Sequence, residues 1–370
     1  MPTHEKQDEV RDPGLIRLGW NRHWASLFDL HAPPGGRPAR VGLQHKGGYI
    51  VFTGDGELPA ELPGRMRFEA TGPDQLPAVG DWVAVRTDSG GPAIVHGVLP
   101  RKSKFSRKTA WKETTEQVLA ANIDVVFVIA ALDVGPNLRR VERYLTMAWG
   151  SGAVPIVVMT KVDLAEDVDG SHAELESVSP GTPIHAVNAL TGEGVEQLRG
   201  YMRQNQTATL LGASGSGKST LVNALVGDQV LRTAPIRHDG KGRHTTSRRQ
   251  LVVLPSGGLV IDTPGMRELQ LWDPGTGLGD AFEDIEALAA GCRFRDCRHD
   301  REPGCAVTAA VVDGRLTAER LASFKKLQRE LHHLSLKQDA RARAEERRKY
   351  KSLHRAVRAE TKAQDRVRGR

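Results

Sequence analysis

The chain has 370 residues, 39% hydrophobic and 26% charged, with 39 Gly, 20 Pro and a formal net charge of +7. That length suits two to three domains, and the composition is that of a soluble globular protein, not of a chain disordered throughout. The longest clean apolar run, Val125–Leu132, has eight residues against the ~20 of a membrane helix, and a charged N-terminus with three cysteines that cannot all pair excludes a secreted disulfide scaffold, so a cytoplasmic protein is expected.

Residues 1–39 are polar and close on Ala32-Pro33-Pro34-Gly35-Gly36, which reads as a flexible tail and linker. Residues 40–100 carry short β-type runs, Tyr49–Phe52, Trp82–Val85 and Ala93–Val95, split by Gly and Pro. Their spacing predicts a small β-barrel, and about 60 residues fits the five-stranded oligonucleotide-binding (OB) kind. Residues 101–117 hold Arg101, Lys102, Lys104, Arg107 and Lys108 and read as a basic linker. Over 118–275 buried strands are expected at Val125–Ala130, Val154–Met159, Pro183–Val187, Thr207–Leu211 and Leu259–Asp262. Helices are expected at Asn137–Gly150, Gly194–Met202 and Lys218–Val226. This alternation implies a parallel α/β sheet. Residues 276–335 turn helical around a cysteine cluster, and 336–370 form a basic helical extension. From Lys325 to Arg370 there are 16 Lys and Arg against 6 Asp and Glu. The net +7 therefore hides +10 at the C-terminus and −3 elsewhere, and the expected partner of that segment is a polyanion, nucleic acid first; the alternative is a solvated helical face.

Gly212-Ala213-Ser214-Gly215-Ser216-Gly217-Lys218-Ser219-Thr220 fits the phosphate-loop pattern G-x-x-x-x-G-K-S/T between a predicted strand and a helix. Small residues let backbone N–H groups wrap phosphates at a helix N-terminus. Lys218 is expected to neutralise the β- and γ-phosphates, and Ser219 to bind Mg²⁺. Asp262-Thr263-Pro264-Gly265 ends a strand where a carboxylate holds Mg²⁺ through water and the Gly265 N–H senses the γ-phosphate. Thr160-Lys161-Val162-Asp163 follows another strand. Asp163 there accepts guanine N1–H and N2–H₂, which adenine does not offer. Val187-Asn188-Ala189 follows the next strand, where backbone N–H meets guanine O6.

These are GTPase motifs in an unusual order, with guanine recognition before the phosphate loop. A sheet can be cut in one loop and rejoined where its ends lie close, so the order implies a circularly permuted GTPase domain. The segment 235–249 between phosphate loop and Asp262 occupies the first switch. Within it, Thr246, or second Thr245, is the candidate to complete the Mg²⁺ shell. Met266 stands where many GTPases carry a water-orienting Gln, and His244 is the candidate replacement. Cys292, Cys297, His299 and Cys305 lie within fourteen residues and suit one closed, structural Cys₃His zinc site per chain.

Permuted order, Gly242-Arg243-His244-Thr245-Thr246, Asp262-Thr263-Pro264-Gly265, Asn137-Leu138-Arg139-Arg140 and the Cys₃His spacing together resemble the ribosome small subunit-dependent GTPases of the RsgA type, over about residues 40–330. The resemblance implies an OB barrel, a permuted GTPase domain and a C-terminal zinc domain. It further implies binding to the small (30S) subunit and its 16S rRNA, a late role in subunit maturation, subunit-stimulated hydrolysis of GTP to GDP, and water activation by His244. Two positions depart from the family pattern: Thr160 where Asn is commoner and Asn188 where Ser is commoner. The expected state is a monomer without a membrane partner. The competing readings are an RNA-binding scaffold with negligible turnover and an ATP-using phosphotransferase, which leaves Asp163 unexplained.

Overall fold

A computed structural model describes residues 12–45, 47–87, 91–108, 116–227, 249–262, 277–300 and 302–335. Two helices open it. Asp12 caps α1 (Pro13–Arg17) by accepting from the Gly14 and Leu15 N–H groups at 2.8 and 3.2 Å. Asn21 caps α2 (Arg22–His31) in the same way. Trp24 and Phe28, four residues apart, share one face of α2, and Trp20 stands just before its cap. They are buried against Trp82, with the Trp20 and Trp82 rings edge to face at 4.7 Å. This corrects the expectation of a flexible tail over 12–31. The average composition is polar, but the aromatic stripe is enough to dock the segment.

Five strands follow: β1 (Arg37–His45), β2 (Gly48–Thr53), β3 (Gly56–Glu61), then α3 (Gly64–Glu69), β4 (Trp82–Arg86) and β5 (Ala93–Val98). Their order is β1-β2-β3-β5-β4, and β4 pairs back onto β1. The sheet therefore closes on itself, which removes its free edges. β3 and β5 run parallel and the other pairs antiparallel. Val41, Val51, Ala60, Val83, Val85 and Val95 fill the interior. The expected OB-like barrel is present.

The expected linker 101–117 is also corrected. β6 (Lys104–Lys108) and β7 (Glu116–Ala121) pair antiparallel. Three of its cations are paired with carboxylates of the fold. Arg101 is 2.7 Å from the fully buried Asp81, Lys102 is 2.5 Å from Asp124, and Lys104 is 2.7 Å from Glu116.

The α/β sheet runs β10-β9-β8-β11-β13-β12, with β8 (Val125–Ala131), β9 (Val154–Thr160), β10 (Ile184–Val187), β11 (Thr207–Gly212), β12 (Gln250–Val253) and β13 (Leu259–Asp262). All neighbours are parallel except β12 on β13. The flanking helices are α4 (Leu138–Ser151), α5 (Val168–Val178), α6 (Val195–Gly200) and α7 (Lys218–Val226). β12 and α5 are additions to the elements expected from sequence. β12 pairs with β1 at Gln250 and Leu43, so barrel and α/β domain share one eleven-stranded sheet.

Arg40 holds that junction. It is 2% exposed, and its guanidinium donates to Thr207 Oγ1 (2.8 Å) and to the carbonyls of Asn122 (3.2 Å), Gly80 (3.2 Å) and Leu18. Burial pulls its pKa down to about 10. The C-terminal part packs α8 (Gly277–Ala281), α9 (Glu283–Ala289), α10 (Ala306–Val312) and a helix over 318–335, α11. No helix among the described residues is long and apolar enough to cross a membrane.

Candidate nucleotide site and metal-ligand cluster

The C-terminal ends of the parallel strands form the edge where α/β sheets bind ligands. Register sets Gly212 beside Ile129, Ala131 beside Thr160, Thr160 beside Val187, and Thr209 beside Ile261. Residues 160–163, 187–189 and 212–220 therefore meet at one edge with Asp262, although they are distant in the chain.

Gly212 closes β11 and Lys218 opens α7. Gly215 (φ +78°) and Gly217 (φ +86°) take left-handed backbone, which only glycine adopts without strain. At Gly212 a Cβ would lie 2.8 Å from Ser216 Oγ and 2.9 Å from Ile129 Cβ. The Lys218 ammonium donates to the carbonyls of Gly212 (2.8 Å) and Ala213, so it spans the mouth of the loop. Ser214 and Gly215 are exposed at the crest, Ala213 and Thr220 are half-buried, and Ser219 is exposed in the first turn of α7. Asp262 is half-buried at the end of β13, the strand beside β11.

Thr160 is 1% exposed, and its hydroxyl donates to the Ser216 carbonyl at 2.8 Å. The residue that departs from the Asn pattern thus ties the end of β9 to the phosphate loop. Lys161 (φ +57°) turns the chain, and its ammonium lies 2.6 Å from the Asp133 carboxylate beyond β8. Asp133 escaped the sequence reading; its position just past a strand end at this edge is the available signal. Val162 is half-buried, and Asp163 is exposed in the short turn Val162–Leu164. Val187 is buried. Asn188 Oδ1 accepts from the N–H groups of Leu190 (3.0 Å) and Thr191 (3.3 Å), an Asx turn that shapes the loop carrying Ala189. His244, Thr245, Thr246, Gly265 and Met266 lie outside the described residues.

Cys292, Cys297, His299 and Cys305 place all four ligand atoms within 4.8 Å of one another and can hold a metal ion. His299 takes left-handed backbone (φ +58°). Its Nδ1 is 3.6 Å from Cys292 Sγ and 3.4 Å from Cys305 Sγ, and those two sulfurs are 3.9 Å apart. Cys305 caps α10 and accepts from the Thr308 N–H at 3.4 Å. Desolvation opposes its ionisation, but hydrogen bonds from Thr308 and His299 outweigh it and bring the thiol to about 6. Desolvation pushes Cys297 up to about 11.

The model of the RsgA GTPase family matches residues 98–272. A small ribosomal subunit biogenesis GTPase RsgA of Opitutus terrae is 44% identical over 96% of this chain and 99% of its own. The chain belongs to the RsgA GTPase family. An RsgA of Oceanobacillus iheyensis is 46% identical over 85% of this chain and 91% of its own. The crystal structure of YjeQ from Thermotoga maritima superposes with TM-score 0.62 at 28% identity, covering 80% of this chain and 98% of that one. An ABC transporter model also matches residues 195–352. That span contains the phosphate loop but neither guanine-recognition stretch. Membership in the RsgA family accounts for the permuted strand order and for barrel and cysteine cluster on one chain.

Proposed function

We propose that this chain is a GTPase of small ribosomal subunit biogenesis that binds the 30S subunit through 16S rRNA and hydrolyses GTP to GDP and phosphate when the subunit stimulates it. The identity of 44% over 96% of the chain carries the reading, because it spans barrel, GTPase domain and metal cluster together.

GTP lies with its phosphates on 212–220 and its base at Asp163. The exposed Asp163 carboxylate accepts both guanine donors, and the stretch 187–189 offers backbone N–H to O6. The Lys218 ammonium exchanges the neutral carbonyls of Gly212 and Ala213 for β- and γ-phosphate oxygens, a stronger charge-assisted bond. Ser219, in the first turn of the helix after β11, and Asp262, at the end of the neighbouring β13, would offer oxygens to Mg²⁺, a hard cation with oxygen ligands; Thr246, or Thr245, would complete the set. Bound Mg²⁺ neutralises charge that develops on the phosphates. His244 orients the attacking water, and the Gly265 N–H senses the γ-phosphate.

The cysteine cluster fits zinc. Bonds of about 2.3 Å to sulfur and 2.0–2.1 Å to nitrogen place tetrahedral ligands ~3.8 Å (S···S) and ~3.6 Å (S···N) apart. The separations among Cys292, His299 and Cys305 are 3.9, 3.6 and 3.4 Å, and Cys297 Sγ lies within 4.8 Å of all three. Four protein ligands close the shell, so one structural zinc orders the loop between α9 and α10. The barrel and the basic extension 336–370 meet rRNA, and the protein works as a cytoplasmic monomer.

The test is GTP turnover by wild type and His244→Ala, with and without purified small subunits. Strong stimulation in wild type, lost in the variant, is expected. Wild type without stimulation would overturn the ribosome-dependent reading. Stimulation that survives in His244→Ala would move the water-orienting role elsewhere.

A further inference from the structure

Helix α4 has two faces with different neighbours. Asn137, Arg140, Val141 and Tyr144 line a cavity of about 350 Å³ whose opposite wall is the phosphate loop, Ala213–Ser216. The other face meets the C-terminal part. Gly277 of α8 lies so close to it that a Cβ would come within 2.5 Å of the Thr146 carbonyl oxygen and 2.3 Å of the Gly150 nitrogen. One turn nearer the phosphate loop, Arg320 of α11 clamps Glu142. Both are buried, at 3% and 2% exposure.

Every N–H of the Arg320 guanidinium has an acceptor. Nη1 donates to Glu142 Oε1 (2.9 Å) and the Val178 carbonyl (3.1 Å). Nη2 donates to the Ala281 carbonyl (2.8 Å) and Asp284 Oδ1 (2.8 Å), and Nε to Asp284 Oδ2 (3.1 Å). The plane lies 4.1 Å from the centre of the Phe282 ring. Ser323 donates to the second Glu142 oxygen. Further along α11, Glu330 accepts both Arg143 nitrogens at 2.7 and 2.8 Å. Between these points Lys325 donates to the His299 carbonyl (2.5 Å) and Asp300 (2.7 Å). The same helix thus grips the metal-ligand loop on one side and α4 on the other.

A surface strut needs none of this. A buried network with all donors matched has one good arrangement and few neighbours to it. Any shift of the metal-ligand loop must move α11, break the network or move α4. We propose that Arg320 is a positioning residue for GTP hydrolysis: through Glu142 it fixes α4, the wall shared by the C-terminal domain and the phosphate loop, so that binding at the C-terminal domain is felt at the phosphates. The inference rests on the function proposed above and names how its stimulation reaches the site. Arg320 touches no nucleotide in this scheme and acts only through α4.

The experiment uses full-length, metal-loaded wild type, Arg320→Lys and Glu330→Gln. Lysine keeps the buried charge but loses the fork of donors. Breaking a buried pair is strongly destabilising, so Glu330→Gln, whose partner Arg143 is half-exposed, carries the same test should Arg320→Lys fail to fold. Measured are the melting temperature, co-sedimentation with small subunits, and kcat and KM for GTP with and without subunits. The expected result is unchanged subunit binding, unchanged turnover alone and unchanged KM, with the stimulated kcat down about tenfold in Arg320→Lys and less in Glu330→Gln. Wild-type stimulated kcat in the folded variants overturns the inference. A loss of subunit binding as large as the loss of kcat also overturns it, in favour of a strut. Wild type that is not stimulated at all overturns the function proposed above, and the inference with it.

Discussion

At the scale of single residues, Thr160 and Asp163 divide the labour of one motif. The Thr160 hydroxyl joins β9 to the phosphate loop through the Ser216 carbonyl, so its role is connection, while Asp163 is exposed, as the proposed role as base acceptor requires. Thr160→Val keeps shape and removes only that donor. It should cost about 1–3 kcal/mol of stability, the price of a buried carbonyl left without a partner, and weaken GDP in a fluorescent-nucleotide titration. An unchanged melting temperature and affinity would show the bond to be idle. Asp163→Asn reverses the acceptor that guanine needs. GTP affinity should fall by about tenfold or more and xanthine nucleotides should gain; competition between the two nucleotides decides it. The motif was legible because it is a short run whose chemistry needs only its own backbone turn. The Asp133 partner of Lys161 was not, since it lies 28 residues away in the turn after another strand.

At the scale of elements, the N-terminal helices and α11 behave alike: each is held by a few buried side chains. Trp24 is 5% exposed and packs 6.2 Å from Trp82. Trp24→Ala should destabilise by about 3–5 kcal/mol, and urea melts read by fluorescence would show it. A loss under about 1 kcal/mol would mean that the helices merely rest on the barrel. For α11, the hydrogen bond from Arg143 holds the Glu330 carboxyl below its usual 4.5. A depressed acid stabilises the fold above its unfolded pKa, and that contribution fades as pH falls through the folded value. Melting temperature should therefore drop on acidification below about 4.5, and the drop should be shallower in Glu330→Gln. Equal pH profiles would place the acid sensitivity elsewhere. Helix and strand positions in the α/β part were legible from local periodicity, and α7 spans Lys218–Val226 as read. β12 and α5 were missed because the first is short with one buried residue and the second buries only Leu175 and Val178.

At the scale of the whole molecule, positive charge is distributed by the fold. Arg101, Lys102 and Lys104 pair with Asp81, Asp124 and Glu116, so part of the charge that looked free in sequence is matched within the fold. The extension 336–370 holds 13 Lys and Arg against 5 Asp and Glu. Its removal should weaken RNA binding and flatten the dependence of affinity on salt, because fewer phosphate counterions are released. Equal slopes for the full and truncated chains would make the extension a solvated helix. The continuous sheet through β12 and β1, with Arg40 buried at the junction, joins barrel and GTPase domain.

The sequence by itself determined the local signals: a phosphate-loop pattern, a candidate guanine acceptor, a candidate carboxylate for Mg²⁺ and four metal-ligand side chains close together. Each is written in adjacent residues, because hydrogen-bond and ligand geometry at such sites is set over one turn of chain. It also determined the permuted order, which is the order of those local signals. Only the tertiary structure decided that the aromatic residues of 12–31 join the core, that Arg101, Lys102 and Lys104 are paired, and that Arg320 grips Glu142 from 178 positions away. Those outcomes depend on which surfaces meet, and burial makes each charge choose its partner from whatever the packed chain brings within about 4 Å.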